Sequence, residues 1–587
     1  MPQWFVEECR TLQADLTNDL KAPPMSRRMN IHTPRTVQEA LRSPQAAEWR
    51  AAILRELCAL RDNNTWTLVP KPQNRRVLQS TWAFNIYWND DGTIQKFKAR
   101  LCARGDRQIA GLDYTEVYAP VANFKSFRTL MAIAAHHDLE LHHLDIKAAY
   151  LYGDIDTEVY MRQPPGFADA NLPHFVFKLN KSLYGLRQAG RIWSRVLRDF
   201  ITKQLGFTQF KSDECIYVKE FNGKPMYILA YVDDLAIAHA DPSVVQHVKQ
   251  RFIDRFKVND LGEMRAFIGI QITRDREHKR ISIHQRGYTE FVLSTFGMQS
   301  CNTHQTPEDP KIHLTSAMCP STDSERHSLL NGNLRTIYQK ALGCLIYIAT
   351  KTRPDIAHAV QQCSQFASNP GKAHWTAVKR IMRYLRLTAH FGLVFDSSHM
   401  EENAPQGYWQ QAPTDDTHFD PSISHGAADS NWAHEVKRKS VGGHVFFLYG
   451  GVISYKCSRT KHVACSTAEA EWYAAHDAGK AGKALRNLLI ELQIMPTNKA
   501  LQIFEDNTAC IAFGSNTSQQ SQMRHIELPY YFMKDEIRHG TLTLTKIDTQ
   551  HNVADIFTKA LPYPRFSYLR GLLNVRPLDL PPMQNTH

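Results

Sequence analysis

The segment YILAYVDDLAIAHA, at residues 227–240, constrains the fold of this chain more than any other stretch. Asp233 and Asp234 stand between two apolar, β-prone runs, a pattern that predicts a hairpin with a carboxylate pair at its turn. Ionising two adjacent acids in apolar surroundings is costly, because like charges and desolvation both oppose it. Divalent cations remove that cost, and carboxylates are ligands that Mg²⁺ prefers. The alternative interpretation is a solvent-exposed turn that contains two acids.

A third acid strengthens the metal interpretation. Asp145 lies in LELHHLDIKAAYLYG, at residues 139–153, where it follows one apolar run and precedes another. This pattern again predicts an acid at the end of a buried strand. Three such carboxylates are sufficient to hold two Mg²⁺ ions about 4 Å apart for in-line phosphoryl transfer.

A second set of acids lies nearer the C-terminus. Asp429 falls in a predicted strand, Asp506 ends the apolar strand LQIFEDN, and Asp555 begins a late helix in NVADIFTKAL. Glu469 follows the predicted start of the helix in STAEAEWYAAHDAGKAGKAL, and Glu471 competes with it for the same role. Converging acids of this kind are able to bind two Mg²⁺ ions that activate a water for hydrolysis of a phosphodiester bond. Each acid alone is equally typical of a helix cap or a dipole partner.

Charge and composition indicate the class of partner. The chain of 587 residues has a formal net charge of +12 and a hydrophobic fraction of 43%. This length favours two to four domains, and the excess of cations favours polyanionic partners, above all nucleic acid. No stretch of eighteen apolar residues occurs, so no membrane span is predicted.

Several further strings carry a resemblance to a known family. Reading along the chain, they are KFKARLCARGDRQ (96–108), GLDYTEVYAPV (111–121), LDIKAAYLYGDI (144–155), VYMRQPPGF (159–167), KSLYGLRQAGRIW (181–193) and YVDD (231–234). In order and spacing they resemble the reverse transcriptase of copia-type LTR retrotransposon Pol polyproteins. The later strings KRKS, AEAEWYA, EDNTA and ADIFTKAL resemble the RNase H domain of the same family.

The resemblance implies a multidomain fold of mixed α+β and α/β class. A right-hand polymerase of fingers, palm and thumb is expected, followed by a connection region and an RNase H-like α/β domain. The expected boundaries are a poorly ordered leader at 1–44, fingers and palm at 45–250, a thumb-like region and linker at 251–330, a helical connection at 331–396, a polar linker at 397–425, the RNase H-like domain at 426–565 and a C-terminal tail at 566–587.

The resemblance also assigns roles to single residues. Asp145, Asp233 and Asp234 match the catalytic metal ligands of the polymerase, and Asp429, Glu469, Asp506 and Asp555 match those of RNase H. Tyr150 matches the aromatic residue under the incoming sugar, whose ring excludes a 2′-hydroxyl; ordinary core packing is its alternative role. The other expected nucleotide or template contacts are Lys98, Arg100, Arg104, Tyr184, Gly185 and Gln188. Three positions depart from the family pattern: Asp106, Gly190 and Asn431.

The implied function is RNA-directed DNA synthesis with RNase H activity, supported by two Mg²⁺ or Mn²⁺ ions at each active site. The implied partners are an RNA template, DNA, RNA–DNA hybrid, a tRNA or other primer, and dNTPs, with no membrane. Self-association or association with retrotransposon particle proteins is also expected, in cytoplasmic virus-like particles with nuclear entry. The alternatives are a catalytically silent relic that binds nucleic acid and a protein that retains only RNase H.

Overall fold

A computed structural model describes residues 31–88, 93–329, 333–398, 417–432, 439–461, 463–515 and 527–579. The helices of the first half are α1 Val37–Arg42, α2 Ala46–Asp62, α3 Phe124–His136, α4 Ala189–Asp199, α5 Pro242–Arg255 and α6 Arg286–Thr295. Those of the second half are α7 Asp323–Ser328, α8 Leu334–Lys351, α9 Ala357–Ser364, α10 Lys372–Leu387, α11 Thr467–Glu491, α12 Thr508–Ser515, α13 Glu527–Arg538 and α14 Tyr563–Leu572.

The strands divide in the same way. Those of the first half are β1 Trp66–Pro70, β2 Val77–Leu78, β3 Ser80–Trp88, β4 Ile94–Ala103, β5 Glu140–Ile146, β6 Tyr160–Arg162, β7 Phe175–Leu179, β8 Thr208–Gln209, β9 Ile216–Phe221, β10 Lys224–Tyr231, β11 Asp234–His239, β12 Val258–Glu263, β13 Ala266–Phe267, β14 Ile270–Asp275 and β15 Arg280–His284. Those of the second half are β16 Phe391–Phe395, β17 Ser424–Asn431, β18 Val441–Leu448, β19 Gly451–Arg459, β20 Leu501–Glu505, β21 Leu542–Lys546 and β22 Val575–Pro577.

The N-terminal part packs α2 against the hairpin of β3 and β4. The ring of Trp49, which is fully buried, meets Phe84 and Phe97 edge-on, with ring centres 5.2 and 4.8 Å apart. The helical spacing of apolar residues in α2 matches this packing, because one face of the helix is buried. A separate four-stranded sheet, in the order β1-β7-β6-β2, completes this part.

The first carboxylate set lies on a six-stranded sheet in the order β12-β5-β11-β10-β9-β8. All five strand pairs in this sheet are antiparallel. Strands β10 and β11 form the hairpin that the sequence predicts for residues 227–240. The apolar residues of β11 are buried, as expected for a central strand of a covered sheet.

The second carboxylate set lies on a C-terminal five-stranded sheet in the order β19-β18-β17-β20-β21. Strands β17, β18 and β19 form an antiparallel meander, whereas β20 runs parallel to β17 and β21 runs parallel to β20. The long helix α11 packs on this sheet; Trp472, Leu485 and Leu489 on it are fully buried. The mixed α+β and α/β fold class that the sequence predicts is confirmed.

Another five-stranded sheet, in the order β13-β14-β15-β16-β22, joins distant parts of the chain. Strand β22 pairs with β16 through residues 391–393 and 575–577. The expectation of a C-terminal tail from residue 566 is therefore wrong for residues 566–577, which complete α14 and form this edge strand. These residues are ordered within the fold because their apolar side chains are buried: Leu569, Leu573 and Val575 are 0 to 1% exposed.

One apolar core runs through most of the molecule. It includes Leu141 of β5, Leu229 of β10, Phe127 of α3, Phe446 of β18 and Phe504 of β20. The two carboxylate-bearing sheets therefore belong to one packed body and are not joined by a loose tether. None of the described helices has the length and apolarity needed to cross a membrane.

Candidate active sites

The first candidate site lies at the tip of the β10–β11 hairpin. Asp234 begins β11 directly opposite Asp145 of β5, so both side chains project from the same face of the sheet. Asp233 lies in the turn, where the preceding Val232 has a positive φ of 58°. The backbone carbonyl of Asp233 accepts a hydrogen bond from Ile146 N at 2.9 Å, which ties the turn to the end of β5.

The negative charges of these three acids repel one another. Burial raises the pKa of Asp233, and the nearby carboxylates of Asp234 and Asp145 raise it further. His143, two residues before Asp145 on β5, has Nε2 2.7 Å from Asp234 Oδ1. No role is predicted for His143 from the sequence, although strand periodicity places it on the same face as Asp145.

Aromatic rings and a guanidinium lie beside the acids. The ring centre of Tyr150 is 4.8 Å from that of Tyr184, in an edge-to-face arrangement. The guanidinium carbon of Arg100 is 5.5 Å from the ring centre of Tyr184. Burial raises the pKa of Tyr184 to about 12, with Asp233 adding to the rise. Arg100, Tyr150 and Tyr184 are thus brought together near Asp233.

Lys98 and Arg104 lie in different environments. Burial lowers the pKa of Lys98, and the neighbouring charge of Arg100 lowers it further. Arg104 is engaged by Asp106 through two hydrogen bonds, from Nε at 2.8 Å and from Nη2 at 2.7 Å. Arg104 holds the pKa of Asp106 at about 2. Asp106 is one of the departures from the family pattern, and it pairs with Arg104, a residue that is expected to bind phosphate.

Gly185 and Gln188 shape the backbone of their segment. Gly185 has a φ of +89°, and a Cβ at this position would lie 2.2 Å from the carbonyl oxygen of Ala103. Gln188 is 0% exposed, and its amide donates to the carbonyl of Asp113 at 3.0 Å. The structure places the Gln188 side chain inside the protein, which differs from the expected direct contact with template or nucleotide.

The second candidate site brings together acids from one strand of the C-terminal sheet, from the end of a second strand and from the helix that packs on it. Asp429 of β17, Glu471 of α11 and Asp506 after β20 each offer a carboxylate oxygen, and these oxygens lie within 4.8 Å of one another. Within the described residues, no other group of three acids, histidines or cysteines has its ligand atoms as near to one another.

Glu471 and not Glu469 occupies the expected position on α11. Glu469 lies in the first turn of the helix, where its Oε2 accepts from Cys465 N at 2.7 Å and its N–H donates to Ser466 Oγ at 3.2 Å. These are helix-capping contacts. Two residues along a helix turn the side chain by about 200°, so Glu469 and Glu471 cannot both face the cluster. The structure therefore brings Glu471, and not the predicted Glu469, into the group of acids with Asp429 and Asp506.

Ionisation of all the acids at the second site is unfavourable when no cation is bound. Burial raises the pKa of Asp429 to about 7, opposed by Lys559 and assisted by Asp555. Burial also raises the pKa values of Glu471 and of Glu505, the last residue of β20, and Asp429 adds to both. One carboxylate oxygen of Glu471 and one of Glu505 are buried with no hydrogen-bond partner. Buried oxygens of this kind fit coordination of a divalent cation.

Asp555 lies beside Asp429 but is held by cations. Lys559 Nζ is 2.6 Å from Asp555 Oδ1 and 3.2 Å from Asp429 Oδ1. Arg565 Nη2 is 3.0 Å from the other oxygen of Asp555. Asn431, another departure from the family pattern, donates from Nδ2 to the carbonyl of Thr558 at 3.2 Å. No role is predicted for Lys559 from the sequence, although a lysine four residues after Asp555 is a pattern typical of an ion pair on a helix.

A family model and several relatives match this chain. Residues 63–310 match the family model described as reverse transcriptase (RNA-dependent DNA polymerase), a range that includes Asp145, Asp233 and Asp234. The chain is 35% identical over 545 residues, 92% of its length, to the retrovirus-related Pol polyprotein from transposon TNT 1-94 of Nicotiana tabacum. The chain belongs to the copia-type Pol family. The reverse transcriptase domain of this Pol chain contains the whole first candidate site.

A second relative of this copia-type Pol chain is the Pol polyprotein from transposon RE1 of Arabidopsis thaliana, 32% identical over 92% of the chain. The chain spans 39% of the tobacco relative and 34% of the Arabidopsis relative. Among solved structures, a foamy viral protease-reverse transcriptase in complex with double-stranded DNA aligns over 94% of this chain and 80% of its own, with 11% identity and a TM-score of 0.43.

Proposed function

We propose that this copia-type Pol chain is an RNA-directed DNA polymerase that also degrades the RNA strand of RNA–DNA hybrids. The observation that supports this most is the presence of two separate carboxylate centres on two different sheets. The first lies in the residues that match the reverse transcriptase family. The second combines acids from β17, α11 and the end of β20.

In the polymerase, Asp145, Asp233 and Asp234 would hold Mg²⁺ or Mn²⁺, two ions per site. These ions would activate the primer 3′-hydroxyl and stabilise the departing pyrophosphate. The chain's own contribution is the fixed hairpin turn, which keeps the three acids at one end of the sheet. Mutual repulsion of these acids favours a bound cation over the bare anions.

The neighbouring side chains would orient the nucleotide. Tyr150 would lie under the incoming sugar, with Tyr184 packed against its edge. Arg100 and Lys98 on β4 would bind phosphate, because charge-assisted contacts to phosphate are strong. Gly185 would act indirectly, by allowing its segment to approach Ala103 closely. Gln188 would position that same segment from inside the protein.

In the RNase H centre, Asp429, Glu471, Asp506 and Asp555 would hold the two divalent ions. When bound, these ions would activate a water for attack on the RNA backbone. The buried Oε2 of Glu471, which has no hydrogen-bond partner, supports a ligand role for this residue. The antiparallel meander that continues into parallel β20 and β21 supports an RNase H-like domain.

The proposed partners follow from this chemistry. They are an RNA template, DNA, RNA–DNA hybrid, a tRNA or other primer, and dNTPs. The net charge of +12 supports binding to these polyanions. Self-association or binding to retrotransposon particle proteins, in cytoplasmic virus-like particles with nuclear entry of the product, belongs to the same proposal.

A catalytically silent or RNase H-only relic is the second candidate. The ion pair between Arg104 and Asp106 favours it, because a cation expected to bind phosphate is already paired with an acid. The pair is exposed and therefore weak, so dNTP phosphates would compete with Asp106 for Arg104.

Two assays on one preparation separate these functions. The first is primer extension, and the second is cleavage of a labelled RNA–DNA hybrid, both with Mg²⁺ or Mn²⁺. We expect Asp233→Asn with Asp234→Asn to abolish extension and spare cleavage, and Glu471→Gln to abolish cleavage and spare extension. Cleavage without extension by the wild type would support the RNase H-only relic. Hybrid binding without either activity would support the silent relic.

A further inference from the structure

Lys559 forms a cationic bridge inside the C-terminal acid cluster. Its Nζ lies 2.6 Å from Asp555 Oδ1 and 3.2 Å from Asp429 Oδ1. Asp429 and Asp555 are 1 and 6% exposed at their side chains, whereas Lys559 is 35% exposed. One ammonium group therefore neutralises two buried carboxylates from a position that opens to solvent.

The other oxygens of the same two acids are also occupied. Thr558 Oγ1 donates to Asp429 Oδ2, and Arg565 Nη2 lies 3.0 Å from Asp555 Oδ2. By contrast, Glu471 Oε2 is buried with no hydrogen-bond partner. The carboxylates of Asp429 and Asp555 are thus already paired with cations or donors, whereas one oxygen of Glu471 is not.

We propose that Lys559 is a tethered cation that competes with divalent metal for Asp429 and Asp555 and so sets the metal affinity of this centre. The proposal rests on the proposed role of the cluster as a metal site. A divalent ion bound between Asp429 Oδ1 and Asp555 Oδ1 would need the space that the Lys559 ammonium occupies, and the positive charge of the ammonium repels an ion there. The flexible stem of a lysine allows its ammonium to withdraw towards solvent.

The same geometry gives Lys559 a second effect. Without metal, it offsets the repulsion between two buried carboxylates. Neutralising Lys559 therefore leaves an uncompensated buried charge, which destabilises the metal-free protein. Neutralisation should consequently tighten metal binding and, in the absence of metal, lower the melting temperature.

The test is Mn²⁺ binding to the full chain, measured by calorimetry and by electron paramagnetic resonance. Asp233→Asn with Asp234→Asn forms the background, to weaken binding at the first site. In it, Lys559→Met is compared with Lys456→Met, a control that removes the exposed ion pair to Asp477. Lys559→Gln is a second neutral variant, whose amide retains hydrogen bonding if Lys559→Met fails to fold.

We expect both neutral Lys559 variants to bind Mn²⁺ at least tenfold more tightly than the background protein, and the control to bind as the background does. We also expect a lower melting temperature in EDTA that recovers when Mn²⁺ is added. Unchanged or weaker Mn²⁺ affinity in the Lys559 variants would overturn the competition while leaving the metal centre intact. If the background protein has no Mn²⁺ site that Glu471→Gln removes, both this proposal and the proposed RNase H function fail.

Discussion

Arg128 and Tyr455 join the polymerase half of the molecule to its C-terminal sheet. Arg128 lies on α3 and Tyr455 on β19, and Arg128 Nη2 donates to the tyrosine hydroxyl at 3.1 Å. Arg128 also donates to the carbonyls of Lys351 at 3.0 Å and Ile453 at 3.3 Å. A single buried guanidinium thus connects three parts of the chain that are far apart in sequence.

Replacing Arg128 should destabilise the whole protein. Arg128→Met retains much of the aliphatic stem but leaves buried carbonyls without a donor, at a cost of about 1–3 kcal/mol for each. We expect the free energy of unfolding to fall by about 3 kcal/mol in urea denaturation. Arg335→Met, at an exposed position on α8, is the matched control and should have little effect. Equal stability of the two variants would show that the Arg128 contacts do not hold the halves together.

Glu469 and Glu471 should differ sharply in hybrid cleavage. Glu471→Gln removes a predicted metal ligand and should lower the cleavage rate at least a hundredfold. Glu469→Gln weakens a helix cap, which typically costs about 1 kcal/mol of stability, and should leave most of the cleavage activity. The assay is cleavage of a labelled hybrid, with melting temperature measured on the same samples. The reverse order of the two rates would restore Glu469 as the ligand.

The increase in melting temperature that metal binding at the second site causes should depend on pH. Burial raises the pKa of Asp429 to about 7 from its ordinary value near 3.8. The folded state therefore binds the proton more tightly than the unfolded state does, and the stability from this group is lost as the pH rises through about 7. Divalent metal binds the ionised form and restores stability, so Mn²⁺ should raise the melting temperature more at pH 8 than at pH 6. The difference should shrink in Asp429→Asn; a pH-independent effect of Mn²⁺ in the wild type would contradict this assignment.

Tyr150 should select deoxynucleotides. Its ring would clash with a 2′-hydroxyl, so Tyr150→Val should raise the ratio of rNTP to dNTP incorporation at least tenfold. Tyr150→Phe keeps the ring and should retain the wild-type ratio. The measurement is single-nucleotide extension with each nucleotide type. An unchanged ratio in Tyr150→Val would assign Tyr150 to core packing beside Tyr184.

Local patterns in the sequence were enough to predict many elements. Apolar residues at helical spacing predict a helix from Pro44 to about Asn63, and α2 spans Ala46–Asp62. The two apolar runs around Asp233 and Asp234 predict the hairpin that β10 and β11 form. These predictions succeed because burial of one face fixes the periodicity of the residues on it.

Other features depend on contacts that no local pattern reveals. Both Glu469 and Glu471 fit the helix start, and only the rotation of α11 against β17 decides which faces the cluster. The pairing of β22 with β16 closes a sheet across about 180 residues, so it leaves no local periodicity. Local spacing relates His143 to Asp145 and Lys559 to Asp555, but their contacts with Asp234 and Asp429 join distant parts of the chain and could not be predicted from the sequence.

Primer extension tests the central claim most directly. The substrate is poly(rA) with oligo(dT), dTTP and Mg²⁺ or Mn²⁺, and the wild type is compared with Asp233→Asn combined with Asp234→Asn. The account predicts extension by the wild type and its loss in the double variant, with the melting temperature of the metal-free protein preserved. A wild type that folds and binds the primer-template but does not extend it, or extension that survives in the double variant, would contradict the account.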